Sequence, residues 1–121
     1  YDAKTAAMLT QARDEALDGT LPEVTLDRLR GWAAHEAIAA GLYVFLRHPG
    51  DPRRGILEAA NTPGDSDSIA TLAGALIGAR VGIRAFPSDW VRDIERSEDL
   101  GALASLGAAY LGTVPSAGLL G

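Results

Sequence analysis

Cysteine is absent from this chain, which removes disulfides, thiolate metal sites and cysteine nucleophiles from consideration. Histidine occurs twice, at His35 and His48, too few for a histidine-based zinc site. Lysine is nearly missing: ten arginines accompany a single lysine, a bias that hints at a GC-rich bacterial gene. Aromatic residues make up only 6%, so the core has to come from small aliphatic side chains at close helix spacing. Excess positive charge is lacking as well, and a net charge of −5 argues against a nucleic-acid groove or an anionic membrane surface as partner. The longest apolar run, Ile69 to Ala79, is too short to cross a bilayer. No signal peptide is visible, so a cytoplasmic protein is the expectation.

What is present is helical. The 121 residues are one domain's worth, 47% hydrophobic, and no stretch alternates with period two, so the expectation is an all-α, compact multi-helix bundle. Helices are predicted over about 3–18, 24–29, 32–47, 52–60, 69–83, 89–96 and 98–111, and the glycine-rich stretch 112–121 reads as a loosely ordered tail. Asp51 and Pro52 form an N-cap and first-turn signal, and Asn61 is suited to end that helix. Trp32, Ile38, Leu42, Tyr43 and Phe45 make the third helix apolar nearly all round, which predicts burial. His35 and Glu36 interrupt it and read as a core or boundary pair. Gly74, Gly78 and Gly82 recur every fourth residue, which predicts a packing groove where a neighbouring helix comes close. The first helix reads as scaffold without chemistry.

The chemistry is concentrated in Gly64-Asp65-Ser66-Asp67-Ser68, which runs straight into the apolar-periodic stretch from Ile69. That pattern is a loop entering a helix N-terminus. A bare N-terminus attracts anions, but two carboxylates there repel phosphate and offer hard oxygens of the kind that magnesium, manganese or calcium take up. The EF-hand pattern does not fit, because Ile69 and Ala70 stand where a ligand and a glycine are required. The plainer alternative is that Asp67 or Ser68 caps the helix while Asp65 is solvated.

The stretch Asn61 to Ala79, with Gly31-Trp32-Ala33-Ala34-His35-Glu36-Ala37 and Leu42-Tyr43 upstream and Gly82-Ile83 and Pro87-Ser88-Asp89-Trp90 downstream, resembles the C-terminal metal motif of the ADP-ribosylglycohydrolases and their crystallin-like relatives. The resemblance covers about residues 26–96. It implies an all-helical fold and hydrolysis of the bond between ADP-ribose and a protein side chain or small acceptor. It also implies two magnesium or manganese ions, with Asp65, Asp67 and Ser68 as metal ligands and Asp67 as the bridging carboxylate. Gly31, Trp32 and Gly64 are the substrate-side candidates, Trp32 through an adenine or ribose contact. Ser68 keeps the hydroxyl of the family's more usual threonine, and Pro63 stands where a second glycine is common.

The other half of the family's metal site, an N-terminal threonine-aspartate-aspartate motif, does not occur in these 121 residues. The chain is therefore expected to be the C-terminal part of a longer or split protein. The missing part would supply the remaining ligands and any general acid, and could exist as a separate chain. No residue here stands out as catalytic. An ADP-ribosylated protein or small molecule is the expected partner. A non-catalytic, crystallin-like or regulatory helical module that keeps the fold without turnover is the alternative function.

Overall fold

The computed structural model describes residues 2–113. Every regular element among them is helical: α1 (Ala3–Asp18), α2 (Pro22–Arg28), α3 (Ala34–Arg47), α4 (Pro52–Ala60), α5 (Ser66–Val81), a single 3-10 turn (Ile83–Ala85), α6 (Ser88–Asp93) and α7 (Ser97–Gly112). The all-α expectation holds. No described helix is long and apolar enough to cross a membrane. The chain divides into two units, the first ending at Pro87 and the second opening at Ser88.

Local signals set the helix ends of the first unit. The Asp2 carboxylate accepts the Thr5 N–H at 2.8 Å and starts α1, while Gly19 closes it in the left-handed conformation. Asp51 accepts the Arg54 N–H at 3.1 Å and Pro52 occupies the first turn of α4, as the sequence predicts. Asn61 ends that helix differently from expectation. Its φ is −103°, not left-handed, and its side-chain amide donates back to the Leu57 carbonyl at 2.6 Å.

The helices α3 and α5 form the centre of this unit, with α1 packed on α3 and α4 on α5. The core is a small-residue seam, with Ala12, Ala39, Ala40, Ala59 and Ala73 between Leu26, Leu29, Tyr43, Val44 and Ile69. Burying each larger aliphatic side chain contributes about 1.5–3 kcal/mol, so Leu29, Val44, Ile69 and Ile77, all fully buried, carry much of the apolar stabilisation. Tyr43 is fully buried too, and its hydroxyl donates to the Thr20 carbonyl at 2.6 Å. That bond joins α3 to the α1–α2 turn.

Two expectations need correction. Trp32 lies before α3 rather than in it and is 71% exposed, because the helix begins only after Ala33. The glycines that permit close helix contact are also not those of the α5 stripe. A Cβ on Gly74 would sit 3.5 Å from Ile56, and one on Gly78 would sit 3.4 Å from Phe86, which are ordinary contacts. A Cβ on Gly55 of α4 would instead meet Ile77 Cδ1 at 2.4 Å, and one on Gly41 of α3 would meet Leu72 Cβ at 3.0 Å. The notches belong to the neighbours of α5.

The second unit contains α6 and α7. The Ser97 hydroxyl donates to the Val91 carbonyl at 2.6 Å and ties the start of α7 to α6. Neither helix buries a residue. α7 runs through Gly112, and the predicted tail from residue 114 onward lies outside the described residues.

Candidate metal centre

The acidic loop is fixed by the backbone that precedes α3. The Asp65 N–H donates to the Arg30 carbonyl at 2.6 Å, and the loop comes so near that a Cβ on Gly64 would lie 1.9 Å from that same oxygen. Only glycine fits there. Gly31 supplies the other side of the contact: its φ is +83°, and a Cβ on it would press on Ile69 Cδ1 at 2.9 Å and stand 3.6 Å from Asp65 Cβ. Gly31, Gly64 and Asp65 are thus one packed junction, and the exposed Trp32 follows directly on it. The Thr62 hydroxyl, earlier in the same loop, is buried without a hydrogen-bond partner.

Helix α5 starts three residues earlier than the sequence suggests, at Ser66, and its N-cap is Asp65. The Asp65 side chain makes no capping bond, and Asp67 and Ser68, the residues expected to cap, lie inside the helix. The influence of the Asp65 side chain, together with the Ser68 and Asp67 N–H groups, holds Asp67 below the ordinary value of 3.8. The Thr71 hydroxyl donates to the Asp67 carbonyl at 2.8 Å and secures the first turn.

Asp67 and Ser68 face a groove of about 820 Å³, whose other polar lining is Thr5, His35 and Thr71 and whose apolar lining includes Ala34, Ile38 and Leu72. The size suits a small-molecule ligand. Asp65, Gly31, Trp32 and Gly64 do not line it.

Sequence reasoning missed Thr5 and His35. The first lies on a helix read as scaffold and reaches the groove only through the packing of α1 on α3, for which one sequence offers no signal. His35 did carry a signal, being polar on a mostly apolar helix, but it was paired with Glu36. The structure separates them: Glu36 Oε1 accepts the Ala33 N–H at 3.1 Å and caps α3, while His35 faces the groove.

Among the described residues no group of three or more histidine, cysteine, aspartate or glutamate side chains converges as a metal site. The loop offers two carboxylates and one hydroxyl. This is a hard-oxygen donor set, and it fits part of a magnesium or manganese shell, which takes about six oxygens.

Comparison with known proteins bears on the same segment. The family model for ADP-ribosylglycohydrolase matches residues 2–115. ADP-ribosylhydrolase ARH3 of Mus musculus is 35% identical over 92 residues, covering 68% of this chain and 25% of the relative. The Homo sapiens protein of the same name is 34% identical over 95 residues, 70% of this chain and 26% of the relative. ADP-ribosylarginine hydrolase Tri1 of Pseudomonas putida is 43% identical over 49 residues, 40% of this chain and 13% of the relative. The chain spans about a quarter of the length of the ARH3 relatives it matches. No solved structure matches.

Proposed function

The chain belongs to the ADP-ribosylglycohydrolase family, and from that premise we propose that it contributes Asp65, Asp67 and Ser68 to a magnesium or manganese site at which the bond between ADP-ribose and its acceptor is hydrolysed. The observation that carries this reading is the placement of Asp65, Asp67 and Ser68 together at the start of α5, on a loop pinned to the Arg30 carbonyl. A bound divalent cation would supply Lewis acidity toward a sugar oxygen or a water.

This chain's own residues do the rest of the work assigned to it. Asp67 would hold the ion through a carboxyl kept ionised by the neighbouring Asp65 side chain and the N–H groups of the first helical turn. Ser68 adds a neutral oxygen, and Asp65 is aimed by its N–H bond to Arg30. The apolar lining from Ile38 and Leu72 limits water around a bound sugar. The junction of Gly31 and Gly64 holds the acidic loop against the Arg30 carbonyl, and the exposed Trp32 that follows Gly31 would contact a ligand's ring.

The three oxygens leave a divalent ion about half coordinated. The chain alone should therefore bind magnesium or manganese weakly in a calorimetric titration, and sub-micromolar affinity would show that no further ligands are required. The decisive assay supplies the length of the relatives that this chain does not span and follows release of ADP-ribose from an ADP-ribosylated protein. Asp67→Ala should lower the rate at least about a hundredfold, since even outer partners of a metal site are worth 10–100-fold. An unchanged rate would remove the hydrolase reading and favour a non-catalytic helical module.

A further inference from the structure

The two histidines of this chain are in opposite situations. His48 is fully engaged: its Nε2 lies 2.6 Å from Glu58 Oε2, and Arg47 holds the same carboxylate at 3.1 Å. His35 is half-buried in the groove beside Asp67 and Ser68, and no described residue hydrogen-bonds to its ring. The hydroxyl of Thr5, which shares the groove, is by contrast taken up by the Asp2 carboxylate at the start of α1. Polar groups at this depth normally find a partner, and the groove leaves room for a ligand to be that partner.

Charge decides which ligand atom suits His35. Asp67 lines the same groove, Asp2 stands near it as the cap of α1 on the Thr5 N–H, and neither lysine nor arginine lines it. A phosphate oxygen placed here would face the Asp67 carboxylate with no cation in the lining to offset it. A sugar hydroxyl faces no such repulsion, can both donate to and accept from an imidazole, and brings a C–H face that packs on Ile38 and Leu72.

We propose that His35 is a substrate-contacting residue whose imidazole hydrogen-bonds a sugar hydroxyl of the ADP-ribosyl ligand, with Thr5 as the second contact and the reacting end of the ligand at Asp67 and Ser68. The identity of the ligand rests on the hydrolase reading above. The discrimination of hydroxyl from phosphate rests on the groove itself.

The test titrates ADP-ribose into the chain in the presence of magnesium, followed by calorimetry and by the ring-proton NMR signals of His35. His35→Ala should weaken binding about five- to tenfold, the value of one neutral hydrogen bond. His35→Gln, which keeps a donor and an acceptor at similar reach, should recover most of that loss. Unchanged helical circular dichroism in both variants separates a lost contact from a lost fold. Inorganic pyrophosphate should leave the His35 signals in place. Parent-like ADP-ribose affinity in His35→Ala would overturn the proposal, as would pyrophosphate shifting the ring as far as ADP-ribose does. Failure of the hydrolase reading has a different signature, with ADP-ribose perturbing no residue of the chain, and the proposal falls with it. If only the His35 contact is wrong, ADP-ribose still binds and Asp67→Asn weakens it while His35→Ala does not.

Discussion

Helices α5 and α7 have the same length, 16 residues, and nearly the same ingredients of alanine, glycine and leucine. One is the axis of its unit, with Ile69, Ala73 and Ile77 buried. The other buries nothing, and Leu103 and Leu106 stand 66% and 70% exposed. Apolar content therefore does not decide burial. What distinguishes α5 is one buried stripe, Ile69, Ala73 and Ile77, at four-residue spacing, and neighbours whose own glycines leave notches against it.

Substitutions at matched positions can break that comparison. Ile77→Ala should cost about 2–5 kcal/mol, since it empties a fully buried position. Leu103→Ala, at an exposed site of α7, should stay within about 0.5 kcal/mol. Urea midpoints of the two variants provide the measurement, and equal losses would show that α7 is as integrated as α5.

The glycines sharpen the same contrast. Gly55→Ala places a methyl against Ile77 Cδ1 and should destabilise by about 1–3 kcal/mol through overpacking. Gly74→Ala meets Ile56 at an ordinary 3.5 Å and should stabilise α5 by roughly 0.5–1 kcal/mol through helix propensity. Thermal melts that lowered both by the same amount would restore the glycine stripe of α5 as the packing groove.

The smallest effect concerns how the helices begin. Asp2 caps α1, and its carboxyl is held below 3.8 mainly by the Thr5 side chain and N–H, whereas Asp65 caps nothing in α5. A depressed carboxyl adds stability above its unfolded pKa, and that contribution disappears as pH falls through the folded value. Asp2→Asn should therefore flatten the acid side of the stability profile below pH 3.8, read as urea midpoint against pH. A profile superimposable on the parent's would mean that the cap does not survive in solution.

Much of the fold was legible because its signals are local. Asp51-Pro52 marks the start of α4 to the residue, and the spacing of Ile69, Ala73 and Ile77 marks α5. The composition of Gly64 to Ser68 pointed to oxygen ligands without any coordinates. The groove was not legible, because it depends on Thr5, His35 and Asp67 coming together across 62 positions of chain. The function of the glycines was misread for a related reason. Their value depends on which side chain stands opposite, and Gly55 faces Ile77 through packing that periodicity does not encode.

The missing Cβ at position 64 has a use in reading genomes. Any related sequence with a side chain there must have pulled its acidic bend away from the Arg30 carbonyl, whatever aspartates it still displays. That one letter can sort relatives with an intact bend from those that have kept only its spelling.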